Sequence, residues 1–364
     1  MIKVVTVVGA RPQFIKAAAV SRAIRSHFSD RVTEVLVHTG QHFDDNMSQV
    51  FFDELGIPAP NYHLAVSGGS HGAMTGRMLE AIERILLTEA PDWVLVYGDT
   101  NSTLAGALAA AKLHVPIAHV EAGLRSFNMR MPEEINRILT DRMSRLLMCP
   151  TDEAVANLKA EGVAQGVHQV GDVMLDVSKY IGTVATSRSN VLGELGLERC
   201  KYVLATCHRA ENTDDERRLI EIIGALAEIA RERPVVLPLH PRTRAKLGAY
   251  GQLSLIEGLV VTAPVSYLDM VVLEQNASAI VTDSGGVQKE AFFYRVPCVT
   301  TRDETEWTET VSAGWNTLAG ANRAAIVRAT LRQPAHERKD VSPYGNGDSA
   351  HKIVKLILES TTPC

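Results

Sequence analysis

Ionisable clusters stand in both halves of the chain, each directly after a short apolar run. Asp99, Glu121 and Glu133 supply three carboxylates in the first half, and His208 lies in a polar stretch of the second. Carboxylates and imidazoles are the groups that move protons in enzymes. Three carboxylates beside one site cannot all stay ionised cheaply, so we expect at least one to have a raised pKa and to act as an acid.

Two of these residues also allow a structural interpretation. Glu133 follows Pro132 at a predicted helix start, where a carboxylate interacts favourably with the helix dipole. His208 could be a satisfied histidine, but its neighbours Arg209, Glu211 and Asn212 form a polar loop and favour a functional role.

The second half contains a glycine-rich turn, Asp283-Ser284-Gly285-Gly286. Glycines let a ligand approach the backbone, and a helix that begins there offers free N–H groups to an anion such as a diphosphate. Glu290, further along that helix, is placed to accept hydrogen bonds from ribose hydroxyls. A plain capping turn is the alternative. Neither GxGxxG after the first strand nor GxxxxGK[ST] is present, which argues against NAD(P) dehydrogenases and Walker-type NTPases.

Cations stand where they would meet a negative ligand. Arg11 and Lys16 lie at the first strand–helix corner, and His240 with Arg242 forms a weaker phosphate candidate that a solvated basic turn explains nearly as well. The histidines lack HExxH or comparable spacing, so no metal is predicted.

Short Val/Ile/Leu runs alternate with longer segments of helical periodicity, which indicates parallel strands covered on both faces. The predicted strands of the first half are Val4–Val8, Glu34–His38, Trp93–Tyr97, Pro116–Val120 and Leu146–Cys149. Those of the second half are Tyr202–Cys207, Val235–Leu239, Leu259–Thr262, Ala279–Thr282 and Pro297–Thr300. The pattern restarts once, so the fold class is α/β with two doubly wound, Rossmann-like domains.

The predicted domains are 1–170 and 171–349, with a hinge near 168–175; a final amphipathic helix at 350–364 could pack on either. Ligands bind beyond the carboxyl ends of parallel strands. Because eight strand-end loops carry ionisable or glycine-rich clusters, we expect the two loop sets to face one cleft.

The 364 residues are 46% apolar and carry a net charge of −5, so neither nucleic acid nor an anionic membrane is an expected partner. No window reaches the length of a membrane span, and the N-terminus does not resemble a signal peptide. The five scattered cysteines predict reduced thiols in a cytoplasmic protein.

Taken together, the motifs resemble the non-hydrolysing UDP-N-acetylglucosamine 2-epimerase family. In the first half they are Gly9-Ala10-Arg11-Pro12 with Lys16, Gly98-Asp99-Thr100, His119-Val120-Glu121-Ala122-Gly123-Leu124-Arg125 and Pro132-Glu133-Glu134-Ile135-Asn136-Arg137. In the second half they are His208-Arg209 with Glu211-Asn212, Thr282-Asp283-Ser284-Gly285-Gly286-Val287-Gln288 with Glu290-Ala291, and Arg302-Asp303.

The resemblance implies the glycosyltransferase-B fold, a homodimer, no metal, no other cofactor, and a final helix that returns to the first domain. It places Asp99, Glu121, Glu133 and His208 at catalytic positions and Arg11 and Lys16 near the diphosphate. Ser284, Gly285, Gly286 and Glu290 match the UDP-binding turn, and we assign His240 and Arg302 to substrate binding as well.

Two segments, Phe127–Met131 and Thr305–Glu309, depart from the usual family pattern near the expected sugar. The whole pattern is more similar to the subgroup that acts on UDP-2,3-diacetamido-2,3-dideoxyglucuronic acid, an intermediate of bacterial lipopolysaccharide O-antigen. Arg130 is then the candidate for the sugar carboxylate, with an exposed arginine as the alternative. The other hypotheses are a UDP-N-acetylglucosamine 2-epimerase, a glycosyltransferase of the same fold, and a non-catalytic sugar-nucleotide sensor.

Overall fold

The first sheet of the protein contains seven strands, all parallel, in a computed structural model that describes residues 1–41, 59–332 and 338–361. In chain order these strands are β1 Ile2–Val8, β2 Val32–His38, β3 Tyr62–His63, β4 Trp93–Tyr97, β5 Ile117–Val120, β6 Leu146–Cys149 and β7 Val167–Gln169. Their spatial order is β3-β2-β1-β4-β5-β6-β7.

The second sheet contains six parallel strands. They are β8 Val203–Thr206, β9 Val235–Pro238, β10 Val260–Thr262, β11 Ala279–Thr282, β12 Cys298–Thr300 and β13 Asn316–Leu318. Their spatial order is β10-β9-β8-β11-β12-β13. Two parallel α/β sheets confirm the predicted fold class.

The ten predicted strands are confirmed to within two residues at each end. The strands that were not predicted as such, β3, β7 and β13, all lie at the edge of a sheet. An edge strand is covered less completely and therefore carries fewer apolar residues, and these three have only two or three residues each. Their residues are mostly half-buried or exposed, so hydrophobic periodicity could not reveal them.

Helices connect most consecutive strands. In the first half they are α1 Arg11–His27, α2 His71–Glu89, α3 Asn101–Lys112, α4 Pro132–Met143, α5 Asp152–Ala160 and α6 Val173–Arg188. In the second half they are α7 Val191–Glu194, α8 Ala210–Thr213, α9 Glu216–Ile229, α10 Pro241–Ala249, α11 Tyr267–Asn276, α12 Gly285–Phe293, α13 Thr308–Ser312, α14 Arg323–Leu331 and α15 Ser349–Thr361. Met78, Ile82 and Leu86 of α2 are buried, so the methionine-containing stripe of this helix belongs to the core.

The chain divides into two units, 1–179 with 342–364, and 180–341. The first boundary falls inside α6, where helical periodicity continues without interruption, so the composition of the sequence gives no signal there. Helix α15 belongs to the first unit. It packs against α1, where His351 contacts the Phe28 ring at 4.8 Å between centroids, and the Thr361 hydroxyl accepts a 2.7 Å hydrogen bond from Trp93 Nε1.

Each sheet reverses its strand order at one position, between β1 and β4 in the first unit and between β8 and β11 in the second. Adjacent helices leave toward opposite faces at such a switch point, which opens a crevice beyond the carboxyl ends of the two strands. The loops that follow these four strands carry Gly9–Arg11, Asp99, His208 and Ser284–Gly286. The strand order thus assembles residues from the predicted motifs at one edge of each sheet.

Candidate functional site

The turn after β1 is held by a side chain of α1, the helix that follows it. Gln13, which is buried, accepts hydrogen bonds from the backbone N–H groups of Gly9 at 2.8 Å and Ala10 at 3.1 Å. A Cβ on Gly9 would lie 2.0 Å from Ser102 Oγ and 2.1 Å from Thr39 Oγ1, so only glycine fits there. The N–H groups of Gly9 and Ala10 are therefore already used, and any contact of this turn with an anion must come from other groups.

Glu121 lies beside Lys16 and the turn that carries Asp99, next to the switch point of the first unit. Glu121 has a left-handed backbone, with a φ of 72°, and its Oε2 forms an ion pair with Lys16 Nζ. A Cβ on Gly98, which precedes Asp99, would lie 3.1 Å from the same carboxylate oxygen. The structure thus brings together three residues that the motifs placed far apart in the chain.

Lys16 faces several carboxylates, which decides its charge. Burial by itself lowers the pKa of Lys16, but the carboxylates of Glu121, Asp172 and Asp99 outweigh it and raise the pKa above its ordinary value. Lys16 is therefore an ammonium group at the carboxylate cluster, in contact with Glu121. Asp172 was not predicted; its place just after β7 follows the same strand-end rule that located the others.

Asp99 has its own cation, Arg137 of α4. The Arg137 guanidinium donates to Asp99 Oδ2 and, at 2.6 Å, to Glu134 Oε2. Lys16 beside Glu121 and Arg137 beside Asp99 thus place a cation against each of these two carboxylates. Arg137 stood within a quoted motif but was not selected, although its four-residue spacing from Glu133 puts both on one face of a helix.

Adjacent glutamates at the start of α4 differ in their surroundings. Glu134 is buried and accepts backbone hydrogen bonds from Ser126 at 3.0 Å and Phe127 at 2.8 Å. Burial opposes its ionisation, but these donors and Arg137 outweigh it and hold the pKa of Glu134 below its ordinary value. Glu134 therefore shapes the loop that precedes α4, while the half-buried Glu133 forms no side-chain hydrogen bond or ion pair with the described residues.

The two arginines of the first unit that the sequence analysis assigned to the substrate occupy different situations. Arg11 is the first residue of α1, and its side chain lies outside what the structure describes. Arg130 is exposed, and its backbone N–H donates to Asn128 Oδ1 at 3.1 Å. Its guanidinium forms no ion pair with the described part of the chain, in contrast to Arg137.

In the second unit, the buried Asp283 joins the two loops of the switch point. Its carboxylate accepts hydrogen bonds from the backbone N–H of His208 at 2.9 Å and of Arg209 at 2.9 Å. His208 Nδ1 also lies 3.3 Å from Asp283 Oδ1, while the imidazole remains 40% exposed. Asp283 therefore holds His208 next to the glycine-rich turn. The sequence analysis had considered this aspartate only as part of a capping turn.

Ser284 is the N-cap of α12 and begins the expected anion site. The N–H groups of Gly285 and Gly286 belong to the first turn of the helix and have no partner within it. A Cβ on Gly285 would lie 3.4 Å from Trp307 Nε1, and the Lys289 ammonium stacks on the Trp307 ring at 4.2 Å from its centroid. Trp307, from one of the two departing segments, therefore adjoins the turn.

Glu290 lies on the second turn of the same helix. Tyr267 donates its hydroxyl to Glu290 Oε1 at 3.1 Å. Burial and the nearby Glu290 charge raise the pKa of Glu274 well above its ordinary value, so Glu274 is a neutral carboxylic acid. Tyr267 thus orients the carboxylate that the sequence assigned to the ribose, and Glu274 is buried near it; neither residue was predicted.

Arg302 and His240 were assigned to substrate binding. The Arg302 guanidinium forms a two-pronged ion pair with Glu306 at 2.9–3.2 Å and approaches Glu211 at 3.8 Å. It therefore already has counter-charges within its own unit. His240 is the N-cap of α10, where its Nδ1 accepts from Arg242 N at 3.2 Å, and its ring lies 5.8 Å from that of His208.

Other features of the described residues do not compete with these two edges. A cavity of about 860 Å³ lies at the opposite, amino-terminal end of the second sheet and is lined by Cys200, Arg233 and Arg295 among others. Across 1–41, 59–332 and 338–361, no group of three His, Cys, Asp or Glu side chains is placed to hold a metal ion; His42 lies outside these ranges. Within the same ranges no helix is long and apolar enough to cross a membrane.

Two doubly wound sheets, one with a carboxylate cluster and one with a helix N-terminus beside a carboxylate, are the architecture expected of an enzyme that binds a nucleotide-linked substrate. Residues 25–358 match the family model described as UDP-N-acetylglucosamine 2-epimerase. The chain belongs to the UDP-N-acetylglucosamine 2-epimerase family. It is an isomerase, a UDP-sugar 2-epimerase.

Relatives cover nearly the whole chain. The UDP-2,3-diacetamido-2,3-dideoxy-D-glucuronate 2-epimerase of Pseudomonas aeruginosa is 54% identical over 98% of this chain and 99% of its own. A UDP-N-acetylglucosamine 2-epimerase homolog of Methanococcus maripaludis is 52% identical over 98% and 99%. The structure of UDP-GlcNAc 2-epimerase from Methanocaldococcus jannaschii is similar with a TM-score of 0.89, at 40% identity over 98% of this chain and 99% of that chain.

Proposed function

We propose that the substrate is UDP-2,3-diacetamido-2,3-dideoxy-D-glucuronate and that the enzyme inverts its C2 to give the manno epimer. The 54% identity to an epimerase named for this substrate supports the proposal, and the uncommitted guanidinium of Arg130 before α4 carries it. UDP-N-acetylglucosamine is the second candidate, because a relative of nearly equal identity bears that name. The product would serve lipopolysaccharide O-antigen synthesis.

The chemistry follows from the sugar. No carbonyl acidifies C2–H, so direct deprotonation is hard. If the C1–O bond breaks first, UDP leaves with the bonding electrons and C1 gains oxocarbenium character, after which a carboxylate removes the C2 proton and a glycal remains. Delivery of a proton to the opposite face of C2, with a UDP oxygen re-forming the bond to C1, gives the epimer.

We assign the two halves of this reaction to the two units. The N–H groups at Gly285 and Gly286 would hold the leaving diphosphate, with Glu290 on the ribose. Asp99 and Glu121, with Glu133, would handle the proton at C2, and Glu121, which contacts Lys16, is the candidate base. His208, which Asp283 holds beside the turn, is placed to assist the departure of UDP. Two faces of C2 need two proton-handling groups, which accounts for several carboxylates.

Turnover in D₂O tests both reaction and substrate. We expect purified protein to epimerise the diacetamido uronate, to incorporate deuterium at C2, and to release traces of glycal and UDP detectable by proton NMR. A product that retains the original C2 proton would contradict elimination and readdition. Efficient turnover of UDP-N-acetylglucosamine with none of the uronate would contradict the substrate while leaving the family assignment intact.

Arg130 allows a sharper test of the uronate. A two-pronged contact between a guanidinium and a carboxylate contributes about 1.5–3 kcal/mol. We expect Arg130→Met to lower kcat/KM for the uronate by about 10- to 100-fold, and to affect a neutral UDP-sugar much less. The matched control is Arg142→Met, which makes the same change at an arginine in the last turn of α4. An equal loss for both sugars would contradict this role of Arg130.

We further propose a cytoplasmic homodimer. Phe127, Met129, Ile135 and Leu139 are large apolar side chains exposed on α4 and the loop before it. Ile135 and Leu139 are four residues apart and share one face of the helix. An apolar face of this kind fits a second copy of the chain, and light scattering of the purified protein measures the oligomeric state directly.

A further inference from the structure

A buried polar cluster lies beneath the two catalytic turns of the first unit. His119 of β5 is fully buried, with its Nδ1 2.7 Å from Asp141 Oδ1 and its Nε2 2.7 Å from the carbonyl oxygen of Gly98. Both partners lie at the distance of a good hydrogen bond. Neither His119 nor Asp141 is among the residues assigned to the reaction.

The identity of the two partners determines the protons on the ring. A backbone carbonyl oxygen can only accept, and so can an ionised carboxylate. A neutral imidazole has one donor and one acceptor nitrogen, so one of its lone pairs would face an oxygen lone pair at 2.7 Å. Two acceptors on opposite sides of the ring require an N–H on both nitrogens.

Asp141 is held in its ionised form. Its Oδ2 accepts from Gly123 N at 3.2 Å and forms an ion pair with Arg125 Nη1 at 2.8 Å. The buried guanidinium of Arg125 carries a fixed positive charge and, with the Gly123 N–H, favours the ionised carboxylate of Asp141 over its acid form. Asp141 is therefore an acceptor toward His119 rather than a carboxylic acid that donates to it.

A protonated histidine balances the remaining charges around the ring. Arg125 is bound to Asp141 and, through Nε and Nη2 at 2.6 and 2.9 Å, to Glu161 at the end of α5. On β6, burial and then the Asp141 carboxylate raise the pKa of the Cys149 thiol to about 12, so this neighbour stays neutral. Two carboxylates then face Arg125 and His119, and an imidazolium makes the cluster neutral.

We propose that His119 is a buried imidazolium that positions both catalytic turns of the epimerase. Its Nε2–H holds the carbonyl of Gly98, which precedes Asp99, and through Asp141 it fixes the N–H of Gly123, two residues after Glu121. Gly98 N in turn donates to Val120 O at 3.0 Å, so the two turns are joined to each other. The positioning role rests on the proposed function, whereas the protonation state does not.

Nitrogen NMR of the wild-type protein labelled with ¹⁵N-histidine tests the protonation state without any assay of activity. At about pH 8, where a histidine in water is neutral, we expect one of the 12 histidines to show a directly bonded proton on both ring nitrogens. Its loss in His119→Gln assigns the signal. Asp141→Asn should retain one proton only, because the asparagine amide can donate to Nδ1. A wild-type ring at this position with a single proton would overturn the proposal.

Kinetics tests the positioning. We expect His119→Gln to lower kcat about 10- to 100-fold, since small misplacements of catalytic groups have effects of this size, while the dissociation constant of UDP, whose site we assign to the other unit, changes less than about twofold. His168→Gln makes the same substitution on the edge strand β7 of the same sheet and should leave both unchanged. An unaltered kcat in His119→Gln, or an equal weakening of UDP binding, would contradict the positioning role. If the wild type epimerises neither UDP-sugar, the proposed function fails while the NMR result stands.

Discussion

Replacement of Glu121 by glutamine is expected to lower kcat by about 10³-fold with little change in UDP affinity. A positioned proton-transfer group contributes about 10²- to 10⁴-fold to a rate, and glutamine keeps the shape of the side chain but cannot accept a proton. Lys16 still faces Asp99 and Asp172, so the ammonium is not left without a counter-charge. Steady-state turnover and calorimetric titration with UDP measure the two quantities separately.

The control for this variant is Glu153→Gln, the same change at an exposed position in the first turn of α5. It should have the activity of the wild type. If Glu121→Gln kept more than about a tenth of the wild-type kcat, Glu121 could not be the proton-handling group at C2. If UDP binding fell together with kcat, the assignment of nucleotide and chemistry to different units would be wrong.

Replacement of Glu290 by alanine should have the opposite signature, raising the dissociation constant of UDP on the order of 100-fold. Hydrogen bonds to a charged group contribute about 1.5–3 kcal/mol each, and Glu290 is a carboxylate that the Tyr267 hydroxyl orients at 3.1 Å. The carboxylate cluster of the first unit is untouched by this change. At saturating substrate, kcat is therefore expected to fall much less than in Glu121→Gln.

Glu290→Gln keeps one acceptor oxygen and should weaken UDP binding less than Glu290→Ala does. Removal of the Glu290 charge also removes a neighbour that raises the pKa of Glu274, so Tm should be compared for both variants. If the UDP dissociation constant were unchanged in Glu290→Ala, Glu290 would not be the residue that binds the ribose. The glycine-rich turn would then have to bind the diphosphate without support from α12.

Alternating apolar runs and amphipathic helices are local properties of a chain, and they sufficed to predict the two doubly wound series. Trp93–Tyr97, Leu146–Cys149 and Ala279–Thr282 are strands with the predicted bounds. The local pattern did not predict the edge strands β3, β7 and β13, because their exposed sides carry no apolar signal. It also gave no sign of the division of the chain inside α6. Both depend on what other parts of the chain cover.

The strand-end rule also located Asp99, Glu121, His208 and Ser284 from sequence alone, because the carboxyl ends of parallel strands meet at one edge. It could not decide which charges would pair. Lys16 and Glu121 are 105 residues apart, and they meet because β4 lies directly beside β1 and β5 beside β4.

The same reason explains Asp283 and Arg137. Asp283 accepts from the His208 loop rather than capping its own helix, since β8 and β11 are neighbours in the sheet although 75 residues separate the two side chains. Arg137 compensates Asp99 from a helix that packs beside the switch point. The types of the candidate catalytic groups are a property of the sequence, whereas the counter-ions that they meet follow from the order of the strands.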